Sequence, residues 1–156
     1  MVETATLLAL GDWMAEHALG ESPFYDLIAA SDLSLANLEA PLTDRGHPAD
    51  KTVAMKGPPE VAAELARVGL KAATLANNHA MDFGVEGMRQ TRAVLGAAGI
   101  AHCGTGETLE EAMAPAFVEA GGLRVGVLSF SSTLPIGTAA GPRRPGMAPI
   151  PVLSSY

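Results

Sequence analysis

The chain of 156 residues is 48% hydrophobic, 17% charged and 4% aromatic, with ten Lys and Arg against seventeen Asp and Glu for a formal net charge of −7. That length supports one domain burying about 70% of its unfolded surface. The few, scattered basic residues exclude sequence-independent nucleic-acid binding, and no run approaches the roughly 18 apolar residues of a membrane span.

The 17 Gly and 11 Pro follow no fixed period, which excludes collagen-like and low-complexity classes. One cysteine, Cys103, excludes a disulfide framework and a Cys-rich zinc knuckle, so any metal site must draw on Asp, Glu, Asn and His. Met1-Val2-Glu3-Thr4 lacks the basic start and long apolar stretch of a secretory signal, which predicts cytoplasmic residence for the chain as given.

Residues 4–10 form a nearly uncharged apolar run stopping at Gly11-Asp12, as expected of a strand covered on both faces. Phe24, Leu27 and Ile28 give a short helical stripe behind Ser22-Pro23, and Leu33–Leu38 reads as a second buried strand ending at Glu39. After a polar loop, Pro58-Pro59 opens a helix whose apolar face is Val61, Leu65 and Val68 and whose end is Gly69. Lys71–Leu75 is a third strand, running into Ala76-Asn77-Asn78-His79. A helix from near Gly84 to Gly99 and a fourth strand at Ile100–Cys103 follow, before Gly104-Thr105-Gly106. Leu109–Met113 reads as a short helix. Ala116–Ala120 and Leu123–Phe130 flank Gly121-Gly122 as an antiparallel hairpin. From Leu134 onward the chain is rich in Pro and Gly without periodicity and shows no closing helix or strand, which divides it into 1–133 and a tail, 134–156.

Strands alternating with helices predict an α/β fold, a mostly parallel sheet joined by right-handed crossovers and flanked by helices on both faces. Sites in such sheets lie beyond the carboxyl ends of the strands, which singles out Asp12, Glu39, Asn77, Asn78 and His79. Two carboxylates, an amide and an imidazole form a mixed oxygen and nitrogen set suited to Mn, Fe or Zn. A carboxylate between two cations can bridge them, one metal lowering the pKa of its water toward ~7, and Glu39 is the natural bridge. Strand-end Asp and Asn also serve as helix caps and turn residues, so pattern alone leaves both readings open. Asp82 reads as the N-cap of the helix beginning near Gly84. Gly104-Thr105-Gly106 reads as a strand-exit turn, His17 and His47 as solvated, and His102 as packed within its strand. No G-x-S-x-G elbow and no Walker loop is present.

These motifs together resemble the CapA-type, poly-gamma-glutamate capsule biosynthesis proteins, of the calcineurin-like metallophosphatase fold. The resemblance rests on Gly11-Asp12, Ala36-Asn-Leu-Glu-Ala-Pro-Leu-Thr43, Ala76-Asn-Asn-His-Ala-Met-Asp-Phe-Gly84, Gly104-Thr-Gly106 with Glu111-Ala112 and Pro115, and Pro145-Gly-Met-Ala-Pro-Ile150. It implies metal ligation by Asp12, Glu39 and Asn78, with Glu39 bridging, and a catalytic role for His79 at the phosphate or leaving group. The cofactors implied are divalent Mn, Fe or Zn ions, and the substrate an anionic phosphoester or a polyglutamate-related molecule. Met14 stands where the wider superfamily's D-x-H motif has its histidine. The family's later histidine motifs have no counterpart after His102.

The resemblance covers nearly all of the chain but only the N-terminal half of the family's domain, so the metallophosphatase-like sheet is expected to be incomplete. Two further readings follow: a non-catalytic binding or assembly component of a polymer-synthesis complex, and an inactive fragment. An uncovered sheet edge predicts self-association or a tail folded back over it.

Overall fold

In the computed structural model, residues 4–152 are described. The first apolar run becomes β1 (Leu7–Trp13) and is followed by α1 (Phe24–Ala30), β2 (Leu33–Leu38), α2 (Val61–Arg67), β3 (Ala72–Thr74), α3 (Gly84–Ala97) and β4 (Ala101–Cys103). The four strands form one parallel sheet in the order β1-β2-β3-β4. β5 (Thr105–Gly106), α4 (Leu109–Met113), the hairpin β6 (Ala116–Ala120) and β7 (Leu123–Val127), and β8 (Gly146–Met147) complete the described elements. No helix among the described residues is long and apolar enough to cross a membrane.

Strand alternation sorts the sheet into two faces. Ala36, Leu38, Ala73 and Leu75 pack with Val61, Ala62 and Leu65 of α2 and Leu95 of α3. Tyr25 of α1 stacks on Trp13, whose ring joins the same core. Leu33, Ala72 and Cys103 face the other way and pack against Ala120 and Val127 of the hairpin. The α/β class is as expected, whereas the covering of the second face by a hairpin corrects the expectation of helices on both. The strand order supplies the reason: right-handed crossovers that step one way across a sheet all pass over the same face. The hairpin turns through Gly121 (φ 57°) and Gly122 (φ 81°), both left-handed, as a two-residue mirror-image turn requires.

Two local expectations also change. β1 runs on past Gly11 to Trp13, because a bulge between Ala9 and Asp12 absorbs one residue and lets pairing with β2 resume at Asp12↔Asn37. The expected strand-exit turn is instead β5, paired antiparallel with β8 inside the Pro/Gly-rich segment. Residues 134–150 are therefore part of the packed fold: Met147 and Ala148 are fully buried, Met147 among Ala80, Met81 and Met88, and Ala148 beside Ala112 and Ala140. A two-residue pairing amid Gly and Pro leaves no periodicity to read. The last four residues of the expected tail lie outside the described residues.

Candidate functional site

The bulge decides where Asp12 points. Ala9 pairs with Leu35 and Asp12 with Asn37, three steps along β1 against two along β2. Strict alternation would turn Asp12 toward the helical face; the extra residue returns it to the face carrying Asn37. There Asn37 Nδ2 donates to Asp12 Oδ1 at 2.7 Å and to Glu39 Oε2 at 2.6 Å. One amide thus holds two carboxylates from adjacent strand ends close together, and Glu39 is anchored by its own N–H to the Trp13 carbonyl.

The loop after β3 supplies the other half. Asn77, buried at 7% exposure, donates to Asn37 Oδ1 at 3.0 Å and to the Leu38 carbonyl at 2.9 Å. Its own Oδ1 accepts the His79 N–H at 3.0 Å, an Asx turn that aims the next residues back at the sheet edge. His79 Nδ1 lies 2.7 Å from Asp82 Oδ2. Asp82 is 1% exposed, and its carboxylate also accepts from Met55 N–H at 2.7 Å and Lys51 Nζ at 2.6 Å. A carboxylate only accepts, so Nδ1 carries the hydrogen in the His79 contact and Nε2 is the nitrogen presented to the site. Nε2 stands 3.9 Å from Glu39 Oε1, within ion-pair range and beyond a hydrogen bond.

Asp12, Glu39 and His79 therefore share one edge, joined through Asn37 and Asn77. The Asn78 side chain takes no part in this network; its backbone carbonyl accepts from Lys51 Nζ at 3.0 Å. The reading of Asp82 as a helix cap is corrected. Phe83 occupies the N-cap of α3 without a side-chain cap bond, and the buried Asp82 carboxylate is spent on Lys51, His79 and Met55. Sequence reasoning passed over Asn37, although it stands two residues before Glu39 and hence on the same strand face. Lys51 lies in an aperiodic polar loop that carries no comparable signal. Of the other histidines, His17 and His47 are exposed. His102 sits in β4 with Nδ1 3.1 Å from the Ile100 carbonyl, and burial pushes its pKa down. Met14 is 61% exposed.

The donor set fits a divalent cation in kind, with carboxylate oxygen from Asp12 and Glu39 and imidazole nitrogen from His79 on one edge. It is thin in number: among the described residues no group of three or more His, Cys, Asp and Glu is placed to hold a metal ion. Asn37 instead satisfies the two carboxylates with hydrogen bonds.

A family model described as "Bacterial capsule synthesis protein PGA_cap" matches residues 6–150. An uncharacterized protein of Sinorhizobium fredii is 32% identical over 167 residues, covering 94% of this chain and 36% of that protein. A Mycobacterium tuberculosis protein named "Probable polyglutamine synthesis accessory protein" is 39% identical over 123 residues, 76% of this chain and 32% of that one. A Bacillus subtilis protein named "PGA biosynthesis protein CapA" is 29% identical over 126 residues, 79% of this chain and 33% of that one. The chain spans about a third of the length of these relatives.

Proposed function

Because the chain belongs to the PGA_cap family of bacterial capsule synthesis proteins, with part of that family's metallophosphatase-like α/β fold, we propose that it serves the making of a poly-gamma-glutamate or related capsule polymer. Its strand-end site is proposed to act in metal-dependent hydrolysis of a phosphoester. The observation that carries this reading is the His79–Asp82 pair, which turns Nε2 toward Glu39 at the edge where Asp12 also ends. In such a hydrolysis a water oxygen bonds to phosphorus, the ester P–O bond breaks, and a proton reaches the leaving oxygen. His79 Nε2, which carries no hydrogen in the Nδ1–H tautomer, is the atom placed to take up the proton that the attacking water releases and to pass it to the leaving oxygen. A divalent ion held by Asp12 and Glu39, with the Asn78 side chain turned in from its place outside the network to join them, would supply electrostatic stabilisation of the phosphoryl oxygens.

The test has two parts. The 156-residue chain should bind Mn²⁺ weakly, with a Kd of about 10⁻⁴–10⁻³ M as sparse oxygen-donor sites do, lose it on Glu39→Gln, and show little or no turnover. In a polypeptide of the relatives' full length, His79→Gln should lower aryl phosphate hydrolysis by about 10²–10⁴-fold. Unchanged hydrolysis in that variant would refute the role of His79.

The thin ligand set favours a second reading, a non-catalytic binding or assembly component. It predicts polymer production that survives Glu39→Gln and His79→Gln together.

A further inference from the structure

The segment from His47 to Lys56 is mostly exposed, yet three of its groups converge on one buried residue. Ala49 N–H donates to the Asp82 carbonyl at 2.7 Å, Met55 N–H to Asp82 Oδ2 at 2.7 Å, and Lys51 Nζ to Asp82 Oδ1 at 2.6 Å. The same ammonium reaches the Asn78 carbonyl at 3.0 Å and stands 3.2 Å from His79 Nδ1. Since Nδ1 already carries the hydrogen donated to Asp82, that last approach brings two donors side by side onto one carboxylate. A carboxylate that is 2% exposed needs a compensating charge, and Lys51 is the cation that supplies it.

We infer that Lys51 is a positioning residue: by pinning the Asp82 oxygen that His79 does not use, it fixes the His79 ring in the Nδ1–H tautomer with Nε2 turned toward Glu39. The inference deepens the proposed function and rests on its assignment of His79. Asp82 can orient the ring only while its own two oxygens are fixed. Met55 and His79 share one of them, so among the described residues the other is held by Lys51 alone. Loss of the cation leaves a buried carboxylate free to turn, and the ring loses its fixed acceptor.

The readout is the imidazole itself, by nitrogen-15 NMR of the full 156-residue chain. Wild type should show His79 with a hydrogen on Nδ1, slow to exchange with solvent, and a bare Nε2. Lys51→Arg, which keeps a cation, should retain that signature; Lys51→Met should lose the Nδ1–H signal and give mixed tautomers in an otherwise unchanged spectrum. A folded Lys51→Met that keeps the wild-type signal would overturn the inference. Lys51→Gln serves if the methionine variant does not fold, with the same expected loss. Unfolding of both neutral variants beside a folded Lys51→Arg would also overturn it, making Lys51 a stability element. A tautomer that responds as expected, in a full-length protein whose hydrolysis ignores His79→Gln, would sink the proposed reaction and leave this inference standing.

Discussion

Asn37→Asp isolates the amide that holds the two strand-end carboxylates together. The substitution keeps shape and keeps the oxygen that accepts from Asn77, so only the Nδ2 side changes. In place of two donated hydrogen bonds of 2.7 and 2.6 Å, an anionic oxygen faces Asp12 and Glu39. Hydrogen bonds to charged groups contribute about 1.5–3 kcal/mol each when shielded from water, and the exposure of Asp12 discounts these to about 1–1.5 kcal/mol each, about 2–3 kcal/mol for the pair. Repulsion between carboxylates relaxed to about 4 Å adds about 1 kcal/mol per contact in a water-like medium and more in a drier one. The sum is about 4–5 kcal/mol in the presence of chelator, a large share of a domain's net stability, and corresponds to a Tm lowered by roughly 10–15 °C. The introduced carboxylate would then form a cluster of three with Asp12 and Glu39 that a divalent cation neutralises, so millimolar Mn²⁺ should raise the variant's Tm far more than that of wild type. Thermal unfolding with EDTA and with Mn²⁺ decides it. A variant within about 2 °C of wild type in EDTA would show that the amide does not hold these carboxylates together.

Met147→Ala should cost about 2–5 kcal/mol by denaturant unfolding, because the side chain is fully buried; a cost below about 1 kcal/mol would detach residues 134–150 from the cooperative core. Gly104 has φ 101°, and an added Cβ would stand 2.7 Å from both the Ala76 nitrogen and the Ser129 hydroxyl, so Gly104→Ala should destabilise by about 2–4 kcal/mol in the same assay. Burial holds the His102 pKa below its ordinary 6.5, so the unfolded chain takes up the proton first; this contribution to stability is intact above pH 6.5 and declines as pH falls below it, and His102→Gln should flatten that part of the profile. Phe117, Leu123, Leu128 and Phe130 are exposed on and beyond the hairpin, and sedimentation over a concentration series should show self-association that Phe117→Lys weakens.

Much of the framework was readable because the apolar runs and their glycine stops agree with one another. α1 behind Ser22-Pro23, α3 from Gly84 and the Gly121-Gly122 hairpin all fall where pattern and turn chemistry place them. The edge that gathers Asp12, Glu39 and His79 was readable from the rule that parallel strands deliver their ends to one side. Three features escaped for distinct physical reasons. The bulge at Leu10-Gly11 has one mark, Gly11 itself, which reads equally as the end of a strand. Asp82 sits where a cap belongs, and only the fold of the distant Lys51 segment converts it into a buried anchor. β8 is too short to show alternation, and its partner β5 lies some forty residues away.

The order β1-β2-β3-β4 also bears on how the molecule comes into being. Each strand of the parallel sheet pairs only with strands next to it in sequence. During synthesis at about 5–20 residues per second, each new strand can therefore dock on one already in place. The second face must wait for β6 and β7, and the Met81–Met88 pocket for Met147. In that order of events the apolar underside of the sheet is the surface a nascent chain leaves uncovered longest, and it is where a chaperone would find its footing.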